Sequence, residues 1–256
     1  MKTILVVSLS VIVFLVSTNT NAQVSQEIKA AVASKDRPSS ETSRDANRKP
    51  GEVLALLDIK PGMRVMDLTA GGGYYTDMIS KVVGDKGRVY SHNPPYVINR
   101  FPEFLNNTKQ GWLPRFESKQ WQSNVSKKVG ELDTMAFPLQ LDAAIMVLFY
   151  HDVVWQGVNR EMMNQHIFNS LKKGGSFLVI DHSGKKDSGL KDVKTLHRID
   201  KQTVIEDMLK VGFKLDVDSN LLSYPEDTRD YPFFRDSATK RDQTDRMVLK
   251  FVKPGK

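Results

Sequence analysis

Arg64-Val65-Met66-Asp67-Leu68-Thr69-Ala70-Gly71-Gly72-Gly73-Tyr74-Tyr75-Thr76 is the stretch whose reading decides the fold. Its first half is a short apolar run, the pattern of a strand buried on both faces. Three glycines follow, and then residues 74–83 read as a helix that Gly84 stops. A strand that passes through a glycine turn into a helix brings backbone N–H groups close to a ligand. Glycine suits the turn because a Cβ would meet the ligand and because the backbone angles there resist other residues. A glycine turn alone does not name the ligand, since dinucleotide enzymes and unrelated turns share it. The dinucleotide fingerprint wants Gly-x-Gly-x-x-Gly; Gly71 and Gly73 supply the first pair, but Thr76 stands at the third place. Asp67 closes the strand just before the glycines, where a carboxylate accepts hydrogen bonds or pairs with an ammonium group.

Working outward, strand and helix alternate. Residues 88–92 read as a second strand, 143–149 as the next clear strand and 159–171 as a helix. Gly174-Gly175 stops that helix ahead of a strand over 176–180, and Asp200 caps a helix over 201–211 that ends at Gly212. Two late strands, 214–222 and 246–251, close the chain, and Pro50 opens a short amphipathic helix with Val53, Leu54, Leu56 and Leu57. This alternation predicts a doubly wound α/β fold: a mostly parallel sheet with helices on both faces. Residues 106–129, with Trp112, Pro114, Phe116 and Trp121, lack clean periodicity, and a third strand is expected only toward their end.

The chain of 256 residues begins with Lys2 and an apolar stretch from Ile4 to Val16, then turns polar up to Ala22. That is the shape of a signal peptide, with Thr20 and Ala22 as the small residues before the cut. The stretch is shorter than the roughly 18 to 20 residues that span a bilayer, so no membrane anchor is expected after cleavage. The division is therefore a signal peptide over 1–22, a helical lead-in over 23–49 with Ile28, Ala31 and Val32 on one face, and one domain over 50–256. There is no cysteine, which excludes disulfides, a lipidated cysteine and thiolate chemistry. A periplasmic or secreted location is expected. The net charge of +7 is spread among interspersed acids and bases, without the basic stripe of a nucleic-acid binder.

The run Asp67-Leu68-Thr69-Ala70-Gly71-Gly72-Gly73 resembles the first motif of class I S-adenosylmethionine-dependent methyltransferases, with Thr69 in place of the first glycine. Phe137-Pro138-Leu139-Gln140-Leu141-Asp142 resembles the family's entry into its fourth strand, and Leu171-Lys172-Lys173-Gly174-Gly175 the turn before its fifth. Gly71-Gly72-Gly73-Tyr74-Tyr75-Thr76, Asp181-His182 and Leu196-His197-Arg198-Ile199-Asp200 are similar to a group of exported bacterial proteins described as predicted methyltransferases. The resemblance implies a seven-stranded sheet and S-adenosylmethionine as cofactor, held by Asp67, Thr69, Gly71, Gly72 and Gly73. It further implies that Asn93 stands where relatives offer a carboxylate to the ribose, and that Glu131 meets the adenine. Asn93-Pro94-Pro95-Tyr96 matches the tetrapeptide of amino-methylating enzymes, but after the second strand and not the fourth, so no role is drawn from it.

Ligands of open parallel sheets sit beyond the carboxyl ends of the strands. Tyr150-His151-Asp152 follows the fourth strand there, Asp181-His182 follows the fifth, and His197 comes soon after; with His92, four of the five histidines fall near one face. His151, Asp181, His182 and His197 are the candidate catalytic residues, as a general base or substrate clamp, because histidine titrates near neutrality and a carboxylate fixes its tautomer. A metal site of the same residues is a second reading; without a compact ligand spacing it rests on proximity alone, and no metal is assigned. Polar loop residues are the third. The function expected is methyl transfer to a small or peptidic acceptor; the alternative is a non-catalytic ligand-binding module on the same fold.

Overall fold

The computed structural model describes residues 23–102, 105, 111–118, 121, 123–234 and 242–255; the expected signal peptide lies outside them. Four short helices lead in: α1 (Gln26–Val32), α2 (Ser39–Thr42), α3 (Asp45–Arg48) and α4 (Pro50–Leu56). Then follow β1 (Arg64–Leu68), α5 (Tyr74–Val83), β2 (Arg88–Asn93), α6 (Pro95–Arg100), α7 (Trp112–Glu117) and β3 (Val125–Val129). The second half holds β4 (Leu141–Val147), α8 (Tyr150–Trp155), α9 (Arg160–Ser170), β5 (Leu171–His182), α10 (Val193–Leu196), α11 (Lys201–Lys210), β6 (Lys214–Ser219) and β7 (Arg246–Val252). Among the described residues no helix is long and apolar enough to cross a membrane.

The seven strands form one sheet in the order β3-β2-β1-β4-β5-β7-β6. The first five are parallel, and β7 runs antiparallel to both its neighbours. This is the doubly wound, mostly parallel sheet that the alternation predicts. Each inner strand deals its residues to two cores with a period of two. Met66, Leu68, Ala144, Met146, Phe177 and Val179 enter one core, closed by Met163 and Ile167 of α9 and Met208 of α11. Val65, Ala143, Ile145, Leu178 and Ile180 enter the other, closed by Met78, Ile79 and Val82 of α5 and by α4. Each large apolar side chain so buried contributes roughly 1.5 to 3 kcal/mol, which is why strands this apolar settle in the middle of the sheet.

The lead-in is built into this frame. Ile28 and Ala31 of α1 join the second core, Arg44 pairs with Asp242 at 2.7 Å, and Tyr74 of α5 donates to Asp45 at 2.6 Å. The strand expected over 176–180 starts earlier, at Leu171, because Leu171 pairs with Leu141 across the glycine turn. The strand expected over 143–149 stops at Val147: Leu148 takes a left-handed φ of 56° and turns the chain out at the sheet's carboxyl edge. That conformation costs a non-glycine residue about 1 to 3 kcal/mol and is typical of sites.

Candidate active site and cofactor cavity

The carboxyl ends of β1 and β4 open onto a cavity of about 790 Å³, a size usual for small-molecule sites. Asp67, Thr69, Ala70, Gly71 and Gly72 line it from the glycine turn, and Val147, Leu148, Phe149 and Asp152 from the β4 side. Val97 and Phe101 add apolar wall; Glu41, Arg44 and Arg48 reach in from the lead-in, Arg115 from α7 and Phe233 from the C-terminal third.

The turn is held by side chains beneath it. Thr69, Gly71 and Gly73 all have left-handed φ values, 55°, 58° and 92°. Asn93 grips Gly71 from both sides: its Oδ1 accepts from the Gly71 N–H at 2.9 Å and its Nδ2 donates to the Gly71 carbonyl at 3.0 Å. His92 accepts from the Thr69 N–H at 3.4 Å through Nδ1 and donates from Nε2 to the Gly130 carbonyl at 2.9 Å. Burial pushes its pKa down to about 4, so the ring is neutral and serves as a strut. Gly73 faces the Trp121 ring and not the cavity; a Cβ there would sit 2.3 Å from Trp121 Cζ2.

Asp67 ends a buried chain of hydrogen bonds. Trp112 Nε1 donates to Ser91 Oγ at 2.8 Å, Ser91 bonds Thr76 Oγ1 at 2.8 Å, and Thr76 donates to Asp67 Oδ2 at 2.6 Å. Burial raises the Asp67 pKa to about 7 despite the Thr76 hydroxyl and backbone N–H and the charge of Arg48, all of which favour the carboxylate. Arg48 is itself buried, its guanidinium 4.2 Å from the centre of the Tyr74 ring and 5.3 Å from that of Tyr75. The cavity therefore holds an acid and a fixed cation that both line the same space. Arg44 is paired with Asp242 and Arg115 with Glu41.

On the β4 side the histidines converge. His151 is buried, and its Nδ1 lies 2.7 Å from Asp181 Oδ1. Asp181 also accepts the backbone N–H of His151 at 2.7 Å and that of His182 at 2.8 Å. A carboxylate so occupied is an acceptor, which keeps a proton on Nδ1 of His151 and makes Nε2 the nitrogen that carries the lone pair whenever the ring is neutral. Burial pushes the His151 pKa down, but the charge and hydrogen bond of Asp181, helped by Asp152, more than offset this and leave it raised. Asp152 Oδ1 lies 3.4 Å from His151 Nε2 and 3.2 Å from His197 Nδ1. Burial lifts its pKa above the usual carboxylate range in spite of those two rings. His182 bonds Thr244 at 2.7 Å and stacks on Phe233 at 4.3 Å; burial, with His151 next to it, holds it well below the ordinary histidine pKa.

The cavity sorts the sequence-derived residues. Asp67, Thr69, Gly71 and Gly72 line it, whereas Gly73 meets Trp121 and Asn93 is spent on Gly71. Asn93 therefore holds the turn and does not line the cavity where a ribose would sit: its amide is fully buried with both polar atoms bonded to Gly71. Glu131 is exposed on the loop after β3 and does not line the cavity. His151, Asp181, His182 and His197 are brought together, but Asp152 is the member that reaches the cavity, and His92 stands apart under the turn. Glu41, Arg44, Arg48, Arg115 and Phe233 are not among the residues that the sequence marks; the density of charge in the lead-in is a signal for the first three, and Arg115 and Phe233 come from segments without one.

The profile of the protein-L-isoaspartate(D-aspartate) O-methyltransferase family matches residues 21–130, a little under half of the chain. Curated proteins named protein-L-isoaspartate O-methyltransferase are similar over 60 residues: 35% identical in Aeropyrum pernix, covering 23% of this chain and 21% of that protein. The one from Methanococcus maripaludis is 33% identical, covering 23% and 26%. The match thus spans about a quarter or less of these relatives. A solved S-adenosylmethionine-dependent methyltransferase from Aquifex aeolicus superposes with a TM-score of 0.56 at 17% identity, over 88% of this chain and 97% of that one. The cyclase SpnF superposes with a TM-score of 0.58 at 13% identity, over 88% and 86%. A methyltransferase and a cyclase on one frame mean that the frame does not choose the chemistry. Strand order, the antiparallel β7 and these superpositions agree that the chain carries the class I methyltransferase fold.

Proposed function

We propose that the protein is an enzyme that transfers a methyl group from S-adenosylmethionine to a small or peptidic acceptor, outside the cytoplasm. The observation that carries the reading is one cavity with Asp67 and Arg48 at the glycine turn and Asp152 at the β4 side. The residues present fit this cofactor. Its methionine end is a zwitterion, and Asp67 offers a carboxylate to the ammonium while Arg48 offers a guanidinium to the carboxylate. Gly71 and Gly72 let the backbone come close, and Val97 and Phe101 give apolar surface to the adenine. When bound, S-adenosylmethionine supplies an electrophilic methyl group on a sulfonium. The chain's part is to align the acceptor with that methyl and to exclude water. Asp152, backed by His151 and His197, is placed to meet the acceptor's nucleophile. The matched family profile and relatives support a peptidic carboxylate as one acceptor class.

A non-catalytic binding module on the same fold is the second reading, favoured by Asn93, which leaves the end of β2 without a carboxylate for the ribose. Calorimetry with S-adenosylmethionine and with its demethylated product tests the first step. Saturable binding of both supports a cofactor site, and no binding of either would remove it. Binding without transfer to any peptide or small acceptor selects the module. The location rests on Lys2 and the apolar run up to Val16, and mass spectrometry of a periplasmic fraction is expected to find Gln23 at the N-terminus.

A further inference from the structure

We propose that His151, Asp152 and His197 bind a divalent transition-metal ion on the β4 side of the cavity, with Asp181 orienting His151. His151, Asp152 and His197 each offer a ligand atom, and the three atoms all lie within 4.8 Å of one another. The carboxylate oxygen is 3.4 Å from one imidazole nitrogen and 3.2 Å from the other. The His197 contact is a long hydrogen bond, outside the about 2.7 to 2.9 Å of charge-assisted pairs such as His151 and Asp181 at 2.7 Å. Ligands about 2.0 to 2.2 Å from a tetrahedral zinc stand roughly 3.4 Å apart, close to the spacing of Asp152 from each of the two imidazoles.

A second observation points the same way. His151 Nε2 is buried and has no hydrogen-bond partner, a condition that protein interiors rarely leave uncompensated. In the neutral ring that binds a metal this nitrogen carries the lone pair, because Asp181, itself fixed by two backbone N–H groups, holds the proton on Nδ1. A carboxylate behind a metal-binding histidine is the usual support of such sites. His197 ends α10 in a left-handed conformation of φ 51°, its N–H bonded to the Val193 carbonyl, which turns its ring toward Asp152.

Two imidazoles and one carboxylate select zinc, iron, cobalt or nickel over magnesium and calcium, which prefer oxygen alone. Three protein ligands leave a coordination position open, and Asp152 lines the cavity, so the open position lies toward it. Resting on the methyl-transfer reading, the acceptor class that fits is one with an oxygen donor, such as a carboxylate or hydroxyl, which takes that position.

The test begins with chelator-treated protein titrated calorimetrically with zinc and, separately, with magnesium, and with cobalt followed by visible absorption. One zinc per chain, visible bands of four- or five-coordinate cobalt and no magnesium binding are expected. His197→Ala and Asp152→Asn, confirmed as folded by circular dichroism, each lower zinc affinity beyond the roughly 10- to 100-fold typical of losing a supporting group, and Asp181→Asn falls within that range. His166→Ala, outside the cluster, leaves it unchanged. Folded wild-type protein that takes up no zinc, or zinc binding that survives both His197→Ala and Asp152→Asn, overturns the proposal. S-adenosylmethionine titrations run on the same samples keep the two readings apart: zinc bound without cofactor binding sinks methyl transfer and leaves the metal site, and the converse sinks the metal site alone.

Discussion

On the glycine-turn side of the cavity the residues that shape the wall are neighbours in sequence, Asp67 to Gly72, whereas on the β4 side His151, Asp152, Asp181 and His197 come from three separate segments. The two sides also differ in what holds them. Beneath the turn, Asn93 and a neutral His92 hold the backbone through fixed hydrogen bonds that pH near neutrality does not touch. On the β4 side His151, Asp152 and His197 meet through their side chains, and Asp181 ties His151 to the backbone. A turn supported by neutral struts is set before a ligand arrives, while the cluster opposite is arranged to answer what binds.

The sharpest break in this comparison is Gly73→Val. At φ 92° a branched residue is strained, and its Cβ would stand 2.3 Å from the Trp121 ring. Strain and overpacking together predict a loss of about 3 to 5 kcal/mol in denaturant unfolding. Gly72→Ala, at a position that lines the cavity, is expected to keep stability within about 1 kcal/mol and to weaken cofactor binding instead. A stable Gly73→Val protein would mean that the turn is not fixed from below.

Asp67→Asn acts next. The substitution keeps an acceptor for Thr76 and removes the charge offered to the cofactor's ammonium. Affinity for S-adenosylmethionine should fall about 10- to 100-fold, the loss of a charge-assisted hydrogen bond of roughly 1.5 to 3 kcal/mol. Stability moves the other way. In the native state the Asp67 pKa is raised, from an ordinary 3.8 to about 7. The folded protein therefore holds this proton more tightly than the unfolded chain, and the wild type loses stability as pH climbs through that interval, levelling above it. Asp67→Asn should flatten that slope and be the more stable protein at about pH 8. An unchanged slope would place the buried proton on another group.

Asn93→Asp sharpens the assignment of the struts. Were Asn93 turned toward a ribose, a carboxylate there would tighten binding. With both amide atoms on Gly71, the substitution replaces a donor to the Gly71 carbonyl by a second acceptor. A cost of about 1 to 3 kcal/mol is expected at neutral pH. The new carboxyl regains a donor only when protonated, so its folded-state pKa is raised and the deficit should shrink as the solution is acidified. Thermal unfolding at two pH values measures this, and tighter cofactor binding in the variant would return Asn93 to the cavity.

The same contrast explains what the sequence made legible. The sheet could be read because its strands are contiguous apolar runs, and the turn because Asp67 and the glycines are adjacent. Asp67 and Arg48 meeting in one cavity could not, because α3 is a single turn without an apolar stripe and its placement depends on ties to Asp242 and Tyr74. Asp152 and His197, 45 positions apart, were visible as strand-end polar residues but not as partners at 3.2 Å. Asn93 and Glu131 were read by analogy of position, and position does not say which way a side chain turns.

Glu131 gives the smallest expected effect. By its place after the third strand it should meet the adenine, and a carboxylate that accepts from the ring would contribute about 1.5 to 3 kcal/mol, or at least 10-fold in affinity. Its side chain instead belongs to an exposed loop, and the residues that line the cavity on that side are Val97, Phe101 and Arg115. An exposed substitution away from a site shifts free energies by no more than about 0.5 kcal/mol. Glu131→Ala should therefore leave both unfolding and S-adenosylmethionine affinity within about twofold of the wild type. Phe101→Ala is the counterpart, since removing apolar wall from the cavity should weaken binding without altering its salt dependence. A 10-fold loss in Glu131→Ala together with no change in Phe101→Ala would move the adenine out to the end of β3. The near side of the cavity would then be bounded by a charged loop, and the contrast between a turn preset by buried struts and a cluster of facing side chains would hold only for the methionine end of the cofactor.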